Sequence, residues 1–257
     1  RRLAYLKSLG VGTLYLNPIV EARSNHRYDT ANYEKVDPIL GSVKDYVNLC
    51  DEAKRLGISV INDGVFSHTG ADSIYFDRFG SYGGGAYTDK NSPFFKWFDF
   101  RSYPDDYRCW WGFKDLPEVN EQNPKWQDDI VTGDRSIVKH WLRHGAAGWR
   151  LDVADELPDA ILALIRGAAK SVKPDAPIIG EVWENAADKI SYGKRRSYFR
   201  GRQLDSVMNY PLRSALLGYA GSGDASFLAN ELLDVYSSYP RPAADVLMNI
   251  IGTHDTE

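Results

Sequence analysis

Gly148-Trp149-Arg150-Leu151-Asp152-Val153 is the stretch whose reading decides the fold. It sits in a run of strand length, Ala147–Val153, that is apolar except for two charges. Runs of that kind, with helical patterns on both sides, are typical of parallel strands covered by helices. Working outward, the same reading applies to Gly12–Pro18, Ile58–Phe66, Pro177–Trp183, Ser206–Tyr210 and Val246–Gly252.

Amphipathic helices fill the intervals. Ser42 reads as an N-cap with Asp45 in the capping-box position. Val43, Tyr46, Val47, Cys50, Ala53 and Leu56 follow at three- and four-residue steps, and Gly57 ends the run. Cys50 lies on that stripe and reads as packing. A second helix is expected from the Asn123 cap and Pro124 through Ile130, Ile137, Val138, Trp141 and Leu142 to Gly145. A third starts near Pro158 and carries Ile161, Leu162, Leu164 and Ile165.

Strand and helix in alternation specify an α/β fold, and the spacing points to a (β/α)8 TIM barrel, which uses about 31 residues per unit. Asp152 and Glu181 are 29 residues apart, one unit. Asp63 and Asp152 are 89 apart, which leaves room for an insertion. Residues 69–122 are therefore expected to form an inserted subdomain after the third barrel strand, with 1–68 and 123–257 as the barrel. Six strands are visible, so the barrel is incomplete in this chain. Arg1 to Leu6 read as mid-helix and the chain stops on a polar cluster, so both ends read as cut.

Composition narrows the function. The net charge of −4 argues against a nucleic-acid partner, which needs clustered cations. No apolar run reaches the roughly 20 residues that cross a bilayer. Two cysteines make neither a disulfide scaffold nor a four-ligand zinc site. The basic run Lys189–Arg202, with Lys194, Arg195, Arg196 and Arg200, reads as a solvated face. Gly83-Gly84-Gly85 is a weak phosphate-loop signal, lacking its strand-then-helix setting.

Polar residues gather at the C-terminal ends of the expected strands, where barrel active sites assemble. Asp63 and His68 follow one strand, Arg150 and Asp152 another, Glu181 a third, and His254 and Asp255 the last. Arg150 and Asp152 are two apart and share a face of their strand. A guanidinium beside a carboxylate favours its ionised form. Glu181 is flanked by Ile179, Val182 and Trp183, a setting that suits the protonated carboxyl of a general acid. One ionised and one protonated carboxyl are the machinery of glycoside hydrolysis, and Asp255 adds a third carboxylate. Taken singly, Arg150 and Asp152 equally make a structural ion pair, and Asp63 and His68 equally shape a loop.

Four motifs in order, Asp63-Gly64-Val65-Phe66-Ser67-His68, Gly148-Trp149-Arg150-Leu151-Asp152, Gly180-Glu181-Val182-Trp183 and Gly252-Thr253-His254-Asp255, resemble the α-amylase superfamily, glycoside hydrolase family 13. His26-Arg27-Tyr28-Asp29 is similar to that family's loop after the second strand. Leu116-Pro117-Glu118-Val119-Asn120 resembles the Met-Pro-Lys-Leu-Asn motif of its neopullulanase/cyclomaltodextrinase group. The resemblance implies Asp152 as nucleophile, Glu181 as acid/base and Asp255 as transition-state stabiliser. It implies sugar contacts from Tyr28, Asp63, His68, Trp183 and His254, with Arg150 orienting the nucleophile. The implied partner is an α-glucan, cleaved at α-1,4 and in some members α-1,6 bonds, with retention.

Two departures bear on cofactors. Ser67 stands where many members carry an Asn calcium ligand, and Asp155-Glu156 replace a Lys-His pair. No cofactor or metal site is expected in this chain, with calcium left to segments outside it. A transglycosidase using the same intermediate, a non-catalytic sugar binder and a metal-dependent hydrolase using Asp63, His68, Asp152 and His254 are the other readings. Linkage preference, oligomeric state and cell location are not legible.

Overall fold

A computed structural model describes residues 2–256. The chain forms two compact units, Arg1–Asp152 with Ala168–Ala176, and Val153–Gly167 with Pro177–Glu257.

The first unit contains α1 (Leu3–Ser8), β1 (Thr13–Leu16), β2 (Val20–Ala22), β3 (Thr30–Val36), α2 (Val43–Arg55) and β4 (Ser59–Gly64). It continues with β5 (Phe100–Ser102), β6 (Asp106–Tyr107), α3 (Pro124–Trp126), α4 (Ile137–Arg143) and β7 (Gly148–Leu151). Strands β1, β4 and β7 are parallel neighbours, with Tyr15 opposite Ile61 and Asp63 opposite Arg150. That register sets the two charged residues side by side. Helix α2 has the expected capping box: Ser42 accepts from the Asp45 amide, and the Asp45 carboxylate accepts from the Ser42 amide. Its buried face is Tyr46, Cys50 and Ala53. Tyr46 meets the Trp141 ring edge-on at 5.1 Å, and the Trp141 indole donates to the Tyr33 carbonyl.

The helix expected over 123–145 is broken. Asn123 caps α3 as expected, but the chain then forms a π-helical turn over Gln127–Thr132 before α4 starts at Ile137. The Gly133 amide bonds the Asp128 carbonyl at 2.9 Å, and a Cβ at Gly133 would lie 2.5 Å from that same oxygen. The apolar periodicity on both sides hides this close approach.

Residues 69–122 carry little regular structure and pack by rings. Phe76 is fully buried, with the Tyr107 and Phe98 rings 4.7 and 4.8 Å away. The glycine run has a structural explanation: the Asp77 carboxylate accepts from the amides of Tyr82, Gly83 and Gly84. At Gly85 a Cβ would lie 2.5 Å from the Phe76 carbonyl carbon.

The second unit contains β8 (Ile178–Gly180), the hairpin β9 (Ile190–Ser191) and β10 (Lys194–Arg195), and β11 (Ser206–Asn209). Helices α6 (Tyr210–Ser222), α7 (Ala225–Ser238) and α8 (Arg241–Ala244) precede β12 (Met248–Asn249). The third expected helix, numbered α5 in chain order, spans Asp159–Val172. Strands β8, β11 and β12 run parallel, with Val207 opposite Gly180 and Met208 opposite Met248. Asn209 caps α6 by accepting from the Leu212 amide. All six expected strands are present, each shorter than its apolar run. Among the described residues no helix is long and apolar enough to cross a membrane.

The basic run 189–202 is not uniformly solvated. The Arg196 side chain is wholly buried and donates to the Asp155 and Leu157 carbonyls and to the Asp159 carboxylate. Those acceptors need a donor once they are out of water.

Ser42→Ala removes the hydroxyl half of the α2 capping box. It should lower stability by about 1 kcal/mol, read as a reduced urea midpoint with unchanged slope.

Candidate active site

In the first unit the site is built around Arg150. Its side chain is wholly buried, and its Nη1 donates to Asp63 Oδ1 at 2.8 Å, Asp63 Oδ2 at 3.0 Å and Asp152 Oδ1 at 2.8 Å. One guanidinium therefore holds both carboxylates. The shared face expected for Arg150 and Asp152 is observed. Asp63 Oδ2 also accepts from the hydroxyls of Tyr15 at 2.6 Å and Tyr28 at 2.7 Å. Burial pushes the Asp63 carboxyl up, against the pull of Arg150 and both hydroxyls. Burial, reinforced by the Asp63 charge, also raises both phenols, so they remain donors.

Tyr15 was not singled out from the sequence. A tyrosine in an apolar strand is an ordinary strand former, and only its register beside Asp63 distinguishes it.

His68 is buried, and its ring contacts Ser67 Oγ at 2.9 Å and the Tyr28 carbonyl at 3.2 Å. Burial pushes it down to about 4, so the imidazole is neutral over the physiological range. Trp110 lies over it with ring centroids 5.7 Å apart. The segment 116–120 pairs alongside: Thr69 donates to the Pro117 carbonyl and Val119 to the Ser67 carbonyl.

The second unit holds Glu181. Its Oε2 accepts from the Val153 amide at 2.9 Å and its Oε1 from the Trp183 indole at 3.1 Å. The Glu181 carbonyl accepts from the Ala154 amide at 3.1 Å. Val153 has φ 39 and ψ 49, a left-handed conformation that costs a β-branched residue energy. That strained turn directs its amide at Glu181. Trp183 stacks on Tyr210, with centroids 4.3 Å apart and planes at 12°. His254 and Asp255 contact each other at 3.2 Å in a polar turn after β12. Among the described residues no group of three or more His, Cys, Asp or Glu is arranged to hold a metal ion.

A parallel-stranded α/β chain with buried carboxylates at its strand ends belongs to the class of α/β-barrel enzymes. Comparison with known proteins gives the family. Residues 1–257 match the alpha amylase catalytic domain. The chain belongs to the alpha-amylase family, whose (β/α)8 barrel it carries in part.

It is 38% identical to an amylopullulanase of Thermoanaerobacterium saccharolyticum, covering 99% of this chain and 22% of that protein. It is 33% identical to neopullulanase 2 of Thermoactinomyces vulgaris, covering 100% and 42%. Among solved structures, a cyclomaltodextrinase aligns with TM-score 0.86 at 31% identity, over 99% of this chain and 42% of that one. The native Nostoc punctiforme debranching enzyme aligns with TM-score 0.87 at 30% identity, over 99% and 54%. The chain thus spans less than half the length of the curated relatives named here.

Two predictions follow from the buried groups. Asp63→Ala removes one of the two carboxylates that bond the buried Arg150 and takes away the acceptor that the Tyr15 and Tyr28 hydroxyls share. It should cost about 3–5 kcal/mol in chemical unfolding, whereas Tyr28→Phe should cost about 1 kcal/mol. For His68, the unfolded imidazole binds a proton below its ordinary value near 6.5, and the folded one does so only near 4. Its contribution to stability is therefore lost as pH falls through that window. His68→Gln should flatten the decline in unfolding midpoint between about pH 7 and about pH 5 relative to the parent.

Proposed function

We propose that the protein carrying this chain hydrolyses α-glucosidic bonds in maltodextrins, cyclodextrins, pullulan or starch with retention of configuration. The bonds cleaved are α-1,4, with α-1,6 bonds admitted in addition. The observation that carries this reading is the buried Arg150 holding the Asp152 carboxylate at 2.8 Å. A guanidinium in that position keeps Asp152 anionic and fixes its rotamer, as a nucleophile requires. The names of the relatives support the substrate class.

In the first step the Asp152 carboxylate attacks the anomeric carbon, and the bond to the departing oxygen breaks as Glu181 protonates that oxygen. In the second, Glu181 takes a proton from water, whose oxygen displaces Asp152 and releases the sugar. Asp255 opposes the positive charge that develops on the ring. His68 is neutral, so its Nε2 adds no charge when it exchanges the Tyr28 carbonyl for a sugar hydroxyl, and His254 completes the polar contacts; the Asp63 side chain is wholly buried against Arg150, Tyr15 and Tyr28 and acts on the sugar through them. Tyr28 offers its ring face to the sugar. Residues 69–122 act as an inserted subdomain beside this site, and the chemistry uses no cofactor.

Glu181→Gln tests the reading. Turnover of maltotriose should fall by roughly 10²–10⁴-fold, since an amide cannot transfer the proton. Glu181 accepts two N–H bonds, so the new amide NH₂ must face one donor, and stability should also drop by about 1–3 kcal/mol. Activity is therefore compared per folded molecule, and near-parent turnover would refute the assignment. Longer oligosaccharides as main product at high maltotriose concentration would make a sugar, and not water, the principal acceptor.

A further inference from the structure

Trp183 is half-exposed, and one face of its ring is committed to Tyr210 at 4.3 Å. The remaining polar atom of the indole does something specific. It donates to Glu181 Oε1 at 3.1 Å, while the Val153 amide donates to Oε2 at 2.9 Å. The carboxyl is thus held from both oxygens, once by main chain and once by a side chain. The main-chain donor is fixed by the turn at Val153, and the side-chain donor is fixed by the ring stack.

We propose that Trp183 is a positioning residue for proton transfer: its indole N–H, oriented by the Tyr210 stack, fixes the plane of the Glu181 carboxyl and thereby aims its proton at the departing oxygen. The inference rests on Glu181 being the acid/base. An O–H that accepts a hydrogen bond is polarised toward donating its own proton, so the same contact assists the transfer. Sugar stacking on Trp183 would act on binding; this contact acts on the bond-breaking step. No bond within the protein forms or breaks, and the proton passes from Glu181 to the glycosidic oxygen as already described.

The discriminating measurement is a ratio. Fluoride leaves without needing a proton, whereas a sugar oxygen does not. For the parent enzyme, Trp183→Phe and Glu181→Gln, kcat/KM is measured on maltotriose and on α-maltosyl fluoride. Both values report formation of the covalent intermediate, and their ratio is independent of the fraction of folded enzyme. Trp183→Phe keeps an aromatic ring to stack on Tyr210 and loses the donor. Its maltotriose-to-fluoride ratio should fall about tenfold, a fraction of the 10²–10⁴ that a positioned acid supplies.

An unchanged ratio, with both constants falling together through KM, would overturn the inference and leave Trp183 as a binding surface. The outcome for Glu181→Gln is separate. If that variant fails to lower the ratio, Glu181 is not the acid and the underlying reading fails. If it lowers the ratio and Trp183→Phe does not, only the role of Trp183 falls.

Discussion

A wholly buried guanidinium cannot stand alone, and the first unit is organised around that requirement. Removing Arg150 from water is tolerable only with its charge compensated and its donors engaged. Asp63 and Asp152 provide the charge, one from the adjacent strand in register and one two residues along the same chain. Asp63 then needs donors of its own, which Tyr15 and Tyr28 provide. The need to pair buried polar groups thus ties three elements together: β1 through Tyr15, β4 through Asp63, and the loop before β3 through Tyr28.

The same logic explains what could be read from the sequence. Arg150, Asp152 and Asp63 stood out because charges in apolar strand-length runs have few innocent explanations, and a period of two placed Arg150 and Asp152 on one face. The six strands were legible for the same reason. Tyr15 was not, because its role depends on register between strands far apart in sequence. The donors to Glu181 were hidden more deeply. One is a main-chain amide aimed by the φ of Val153, and no side-chain pattern encodes that. Arg196 was misplaced because a run of cations looks solvated until one member is seen wholly buried among carbonyl acceptors, here those of Asp155 and Leu157. The helix over 123–145 breaks where Gly133 turns extended after bonding the Asp128 carbonyl five residues back, a change of backbone path that apolar periodicity does not register.

Glu181 and Asp152 are held by contrasting means. Asp152 meets a full positive charge, while Glu181 accepts from the neutral N–H groups of Val153 and Trp183. In the mechanism proposed above, the nucleophile has to stay ionised throughout its approach. An acid/base has to take either protonation state in one cycle, and neutral donors orient a carboxyl without locking its charge as strongly as a guanidinium would.

The pairing of 67–69 with 117–119 has a consequence for how this scaffold can change. Those hydrogen bonds cinch the intervening chain at its base, so the strand end carrying His68 is secured whatever the enclosed stretch does. Closing a longer loop across an existing neck adds only about 0.6 kcal/mol per doubling of length. Length changes confined to exposed turns inside that tie, away from the rings packed on Phe76, can therefore accumulate at low thermodynamic cost.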